Sequence, residues 1–355
     1  MSSPTFIKAM LVQTYFPNKL APARYDYYLA SGWFRGSVML YKMDLLCLDN
    51  DIFSVVNIRL DTIGFEMKKR HRKLFRKNNE RYTVRVGDAT VSPRKEELYN
   101  QQKDKFKGFI HSSLSDFLHA GFMDTVFDTK EVEVFDGDKL IAVSYFDVGF
   151  RSMASLICLY DKDYKKDSLG IFTMLHELKY AQLNSVKWYY PGYVLDKGSS
   201  FDYKLTLGKY EFYNTEKKWI PFEQFEPSTT LGSKLMSRME SASKELDRAG
   251  IAHEKFLYPF FSMGFMGTWD VDFLKYPVFI QLDQIEDQST IIAYCTDDKA
   301  FKVILVDCNE DHQHLINIEV SRELQFSENY FRKLLSVDDI LFSSPSEKQI
   351  VEFID

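Results

Sequence analysis

The segment YDKDYKKDSLG, Tyr160 to Gly170, sets carboxylates and a serine-to-glycine step where an apolar run stops and a helical run begins. Tyr160, Asp161 and Asp163 close ASLICLY, while Ser168, Leu169 and Gly170 open the stretch that continues IFTMLHELKYA. A helix start offers free backbone N–H groups to an anion, and carboxylates at the same junction suit an amine. The plain alternative makes the aspartates turn formers and Ser168 an N-cap. A second set lies upstream in MKKRHRKLFRKNNER, where Arg70, Arg72, Arg76, Lys77 and Asn78 crowd one span with Lys68, Lys69 and Lys73. The whole chain has a net charge of −6, so this local cationic run stands out and is compatible with an RNA ligand. A solvated helix face is the alternative for it.

The elements holding these groups follow from pattern and turn chemistry. IFSVVNIRL, Ile52 to Leu60, mixes β-branched and apolar residues at strand length. The basic run has Phe65, Met67, Leu74 and Phe75 as apolar anchors and reads as a surface helix followed by a strand over Arg81–Val86. Ser92-Pro93 starts two helical stretches ending near Gly121, with Leu98, Phe106, Phe109, Ile110, Leu114, Phe117 and Leu118 at helical spacing. Three strands follow, with a hairpin at Asp136-Gly137 and a second turn at Gly149–Arg151. A helix from Ser168 to Leu183 packs through Leu169, Phe172, Leu175, Leu178 and Ala181, and VKWYYPGYV supplies the next strand. Antiparallel strands, a parallel crossover through a helix and a further strand give the α+β layout of a GNAT-like acyltransferase core. From Pro227 the character shifts to a helix stopped by Gly250, then strands at Val278–Leu282, Thr290–Tyr294 and Val303–Val306 and a helix from Ser327 to Leu335.

Composition bounds the class. With 355 residues, 45% hydrophobic and 27% charged, the chain has the make-up of a soluble protein with room for two or three cores. Aromatics reach 15%, so core packing is the ordinary reading of any one of Tyr189, Tyr190, Tyr193 and Tyr203. Cys47, Cys158, Cys295 and Cys308 stand apart with no CxxC pair, which fits reduced thiols and supplies no metal or disulfide framework. His111, His119, His312 and His314 have no partners at metal-ligand spacing, and DCNEDHQH reads as an acidic loop. There is no GxSxG, Walker A or GxGxxG motif, and no leader or membrane-length apolar run. The expectation is a cytoplasmic protein without metal or membrane.

Four segments, in order, resemble the aminoacyl-tRNA–protein transferases of the N-degron pathway, arginyltransferases and their leucyl-transferring relatives. In RLDTIGFEMKKRHRKLFRKN, His71-Arg72 and Arg76-Lys77-Asn78 occupy the ground of the family's Arg-Arg and Arg-Asn. In the second segment Tyr160, Asp161, Asp163, Ser168, Leu169 and Gly170 match its Tyr-Asp-Pro-Asp turn and Ser-Leu-Gly helix start, with Lys162 replacing proline. In WYYPGYVLDKGSSFDYK, Gly192, Tyr193, Tyr203 and Lys204 match, and Phe201 replaces methionine. KKWIPF supplies Trp219, Pro221 and Phe222. The family's N-terminal cysteine cluster is missing, because SGWFRGSVMLYKMDLLCLDN holds only Cys47.

The resemblance implies attack by a protein's N-terminal α-amine on the ester of an aminoacyl-tRNA. Arginine is the expected group, leucine the alternative, and proteins beginning with Asp or Glu, so marked for degradation, are the acceptors. Aminoacyl-tRNA is the co-substrate, no cofactor is expected, and the working form is a monomer. The ester is already activated, so alignment, proton removal and oxyanion stabilisation set the rate. Asp161, Asp163 and Tyr160 are then the catalytic candidates, holding the amine or a cationic aminoacyl group. Arg70, Arg72, Arg76, Lys77 and Asn78 would meet the tRNA backbone or the acidic first residue. Ser168, Leu169, Gly170, Tyr193, Tyr203 and Lys204 would take phosphate, base or aminoacyl moiety. Three regions are expected: an N-terminal α/β region over 1–92, the GNAT-like aminoacyltransferase domain over 93–225, and a small mixed extension over 226–355. The rival enzyme is an acyl-CoA-dependent N-acetyltransferase, disfavoured because DKDYKKDSLG has three acids and one glycine facing a pyrophosphate. The rival outside catalysis is an RNA- or protein-binding relative.

Overall fold

The computed structural model describes residues 11–103, 111–119, 125–265, 270–308 and 328–355. It divides into two compact units, one of Thr14–Lys42 with Val55–Phe225, the other of residues 11–13 with Met43–Ser54 and Glu226–Asp355. Residues 92 and 93 thus share a unit, whereas 225 and 226 do not. Among the described residues no helix is long and apolar enough to cross a membrane.

After β1 (Val12–Tyr15), the chain runs α1 (Pro22–Ala30), β2 (Phe34–Gly36), β3 (Met39–Met43), β4 (Leu45–Leu48), β5 (Asp51–Asp61), α2 (Lys69–Arg81) and β6 (Thr83–Asp88). It continues through α3 (Pro93–Gln102), α4 (Leu114–His119), β7 (Thr129–Asp136), β8 (Lys139–Val148) and β9 (Ser152–Tyr160). A 3₁₀ turn (Lys162–Asp167), α5 (Leu169–Leu183), β10 (Trp188–Tyr190), β11 (Tyr193–Leu195), β12 (Glu211–Tyr213) and β13 (Trp219–Pro221) complete the first unit. Its sheet has the order β13-β12-β5-β10-β9-β8-β7-β6, and β11 also pairs with β5. β6 to β9 are antiparallel neighbours, while β9 and β10 run parallel with α5 between them in sequence. This is the α+β layout of a GNAT-like core.

The sheet centre is apolar on both faces. Leu140, Val143 and Tyr145 of β8 join α3 and α4 in one buried cluster, and Ile141, Ala142 and Phe146 join residues of α5 in others. A strand covered on both faces reads as the near-continuous apolar run seen in KLIAVSYFDV. The expected packing residues of α5, Leu169, Phe172, Leu175, Leu178 and Ala181, are all buried. Ser92 caps α3 by accepting from the Lys95 amide, and Leu98, Leu114 and Leu118 are buried as the spacing predicts. Phe106, Phe109, Ile110 and Gly121 lie outside the described residues.

The second unit pairs β4 with the start of β5 through Leu45↔Ser54 to Leu48↔Asp51. α6 (Leu231–Ala249) begins at a capping Thr230 and ends at Gly250, whose φ of +74° is left-handed. Five antiparallel strands follow in order, β14 (Glu254–Leu257), β15 (Val278–Gln281), β16 (Gln288–Cys295), β17 (Ala300–Asp307) and β18 (Ser336–Ser344), and α7 (Glu347–Ile354) closes the chain. The helix expected from Ser327 to Leu335 is a correction. Residues 328–335 form turns, with Tyr330 bridged to Leu257 and the Leu335 amide bonded to the Tyr258 hydroxyl at 2.9 Å. Phe331, Leu334 and Leu335 have helical spacing because each anchors the segment to the sheet, and the final strand was not legible. Ser327, His312 and His314 lie outside the described residues, as does most of DCNEDHQH.

One buried ion pair ties the first unit together. Arg35 of β2 bonds Asp147 of β8 and Thr129 of β7, each at 2.7 Å, and the Leu118 carbonyl of α4 at 2.5 Å. Tyr25 of α1 donates to the other Asp147 oxygen at 3.1 Å. Removing one partner of such a pair strands a buried charge, so Arg35→Leu is expected to lower unfolding free energy by about 3–5 kcal/mol. Urea titration checks this. Combining the change with Asp147→Leu should recover part of the loss.

Candidate active site

β9 and β10 share three register positions, Trp188↔Ser152, Tyr189↔Met153 and Tyr190↔Ala154. Pro191 then lacks a donor, and Gly192 turns the chain at a φ of +94°. Beyond that corner β11 follows β5 alone, at Tyr193↔Asn57, Val194↔Val56 and Leu195↔Val55. From Ser155 to Cys158, β9 borders a cavity of about 730 Å³ that reaches the start of α5 and the Pro191–Tyr193 corner. The lining is mainly aromatic and aliphatic, including Trp33, Phe34, Tyr41, Ile58, Leu156, Met174 and Phe201. Its basic members are Arg35, Lys165, Lys204 and His111, and no carboxylate lines it among the described residues. Arg35 is already satisfied by Asp147.

Of the residues singled out from sequence, Tyr160, Ser168, Leu169, Gly170, Tyr193, Tyr203 and Lys204 meet at this cavity. Ser168 takes the left-handed conformation at φ +51°, between the 3₁₀ turn and α5, and its side chain does not cap the helix. Ser168 thus stands at the N-cap position, its carbonyl accepting from the Phe172 amide at 3.0 Å, without the hydroxyl cap. Lys204 donates to the Tyr193 carbonyl at 3.0 Å, and its ammonium lies over the rings of Phe201 and Tyr193 at 5.1 and 5.6 Å. Burial without a carboxylate lowers its pKa to about 8. A Cβ on Gly192 would stand 3.1 Å from that nitrogen, so the corner needs glycine for both its backbone and its space.

Asp161 and Asp163 do not line the cavity. Asp161 is buried and accepts from Arg94 at 2.6 Å, Lys139 at 2.8 Å and the Asp163 amide at 3.1 Å. Burial alone would raise its pKa, but Lys139, the Asp163 amide and Arg94 outweigh it and hold the carboxyl low. Asp163 is exposed. Together they shape the turn that delivers α5.

The basic residues lie on α2, away from the cavity. Arg70, Arg72, Arg76 and Lys77 are exposed, with local partners in His71, the Met67 carbonyl, Glu80 and Asp167 respectively. Asn78 is buried and donates to the Asp167 carbonyl at 2.8 Å, tying α2 to the turn before α5. Sequence reasoning overlooked Ser155, which lines the cavity, and Glu177, which is fully buried and accepts from the Tyr189 hydroxyl at 2.7 Å. The signal for Glu177 was available as an acid within the apolar run of α5.

Residues 73–214 match the family model described as arginine-tRNA-protein transferase, C terminus. The aspartate/glutamate leucyltransferase of Leptospira interrogans serogroup Icterohaemorrhagiae serovar copenhageni is 26% identical over 224 residues, covering 59% of this chain and 83% of that protein. Residues 73–214 belong to the aminoacyl-tRNA–protein transferase family. A second relative of this transferase, the aspartate/glutamate leucyltransferase of Helicobacter hepaticus, is 24% identical over 214 residues, covering 58% of this chain and 85% of the relative. Among solved structures, the C-terminal domain of a putative lysylphosphatidylglycerol synthetase from Agrobacterium fabrum aligns at a TM-score of 0.32 and 12% identity, covering 40% of this chain and 47% of that one. The family model spans the cavity's β9, α5 and Lys204, and the transferase's residues 226–355 lie beyond it.

The placement of Asp161 gives a pH-dependent prediction. Its folded pKa is depressed, so its stabilisation is present above the unfolded value of about 3.9 and is lost as pH falls through the lower folded value. Asp161→Asn should therefore cost about 1.5–3 kcal/mol at pH 7, with the gap to wild type closing in acid. Melting temperatures of both proteins across pH check this.

Proposed function

We propose that this enzyme transfers leucine from leucyl-tRNA to the α-amine of proteins beginning with Asp or Glu. The observation that carries this reading is the cavity lining, with aromatic and aliphatic walls, an ammonium at Lys204 and no carboxylate among the described residues. A guanidinium buried there would lose water without gaining a counter-ion. A leucyl side chain would gain about 1.5–3 kcal/mol from the same burial. Arginine ranked first in the sequence because Asp161 and Asp163 were expected at the site. Asp161 is instead neutralised by Arg94 and Lys139, and Asp163 faces solvent. The names of the two relatives point the same way.

In this reading Lys204 receives the carboxylate of the acceptor's first residue, and the backbone at Leu169 and Gly170 faces the tRNA 3′ end or the ester oxygen. Tyr160, Tyr193 and Tyr203 form the walls against which the aminoacyl group and terminal base lie. The exposed cations of α2 follow the tRNA backbone. The work lies where charged tRNA is available, in the cytoplasm, and the product is a protein marked for degradation.

Purified protein given leucyl-tRNA or arginyl-tRNA and peptides beginning with Asp, Glu or Ala tests the reading. Leucine should pass to the Asp and Glu peptides, and a preference for arginyl-tRNA would contradict the proposal. Lys204→Met should lower kcat/KM for the Asp peptide about 10- to 100-fold while leaving tRNA affinity unchanged. Charge reversal at Arg72 and Arg76 should do the opposite, weakening tRNA binding and flattening its salt dependence by roughly one unit of slope per residue.

A further inference from the structure

The transfer reaction must move a proton, and among the described residues the cavity presents no carboxylate to take it. An acid does lie just behind the wall. Glu177 of α5 is fully buried against the sheet, with the Tyr189 hydroxyl on one oxygen at 2.7 Å. Its other oxygen closes no hydrogen bond, although the Ser144 and Ser155 hydroxyls lie near enough to act on the carboxylate. No lysine, arginine or histidine offsets its charge among the described residues. The titratable groups facing it are Tyr189 from β10, Cys158 from β9 and Tyr203 across the cavity, with Tyr210 behind Tyr189. Burial raises all four, so none carries charge at neutral pH. A buried carboxylate without a cation is costly, and glutamine or leucine would serve the fold better.

Resting on the proposed transfer activity, we propose that Glu177 receives the proton released by the attacking α-amine, with the Ser155 hydroxyl carrying it from the cavity to the carboxylate. Ser155 has the required position, since it lines the cavity and neighbours both Glu177 and Tyr189. The amine nitrogen forms a bond to the aminoacyl carbonyl carbon, and the bond from that carbon to the ribose oxygen breaks. The amine gives up one proton, which Ser155 relays by passing its own to Glu177. The departing ribose oxygen takes one proton back along the same path, so the enzyme ends unchanged. Burial pushes Glu177 to about 7, above the ordinary carboxylate range and near an α-amine of about 8. Such matching lets the proton pass both ways near neutrality. Because it acts through Ser155, Glu177 is a positioning residue.

The test is the pH dependence of kcat/KM for leucyl-tRNA and an Asp-peptide, in wild type, Glu177→Gln and Ser155→Ala. Wild type should show an acid limb near neutrality. Glu177→Gln should fall about 10²-fold or more and lose that limb. Ser155→Ala should lose comparable rate with an unchanged melting temperature. A Glu177→Gln enzyme that keeps wild-type rate and limb overturns the proposal. Stability supplies a separate readout. The raised folded pKa means Glu177 favours the fold below about 4.3, and that benefit is lost as pH rises through 7. Glu177→Gln should thus gain stability over wild type between pH 6 and 8. If that variant fails to fold, Tyr189→Phe removes a bond that lowers the Glu177 pKa and should shift the acid limb upward in pH. An unmoved limb then overturns the proposal. Transfer of arginine instead of leucine would defeat the leucyl reading alone, since the proton count is the same for either ester. A wild type inactive on both esters defeats both.

Discussion

A parallel strand pair stays closed only while both chains can exchange ladder hydrogen bonds, and here Pro191 and Gly192 end that exchange after Tyr190↔Ala154. Everything at the candidate site depends on this parting. β11 turns to β5, the wall of β9 from Ser155 to Cys158 borders the cavity, and α5 starts at the far end of the same strand. Lys204 folds back over the corner and bonds the Tyr193 carbonyl, in space that glycine leaves free. The corner therefore fixes the cavity's shape and its most distinctive cation together.

Charge is distributed to opposite ends of this arrangement. Carboxylates of the turn, Asp161 and Asp167, are spent on Arg94, Lys139, Lys77, Arg81 and Tyr82, so they stabilise the approach to α5. Cations remain at the cavity and on α2. An anionic partner meets the Lys204 ammonium at the cavity and the exposed cations of α2, and a cationic one meets no carboxylate in the cavity lining among the described residues. That sorting is what favours the proposed leucyl transfer over arginyl transfer.

Much of this was legible in the sequence, because local pattern decides it. The Asp136-Gly137 hairpin, the apolar stripe of α5 and the basic helix each follow from spacing and turn residues within a short window. The order of four motifs was enough to bring Tyr160, Ser168, Gly170, Tyr193 and Lys204 to one site. What the pattern could not supply was long-range pairing. Asp161 looks like a free acid until Arg94, distant in sequence, is folded against it. Glu177 stands out as an acid in an apolar run, but only the fold shows it sealed against β8, β9 and β10. The apolar residues of 328–335 match a helix until the sheet uses them as anchors.

The central claim is that the cavity holds a neutral aminoacyl end of tRNA. Calorimetric binding of 3′-leucylamido-adenosine and 3′-arginylamido-adenosine to the full chain addresses it without chemistry. The account predicts that the leucyl compound binds at least about tenfold tighter, a difference of 1.4 kcal/mol. Equal affinity, or tighter binding of the arginyl compound, would contradict it.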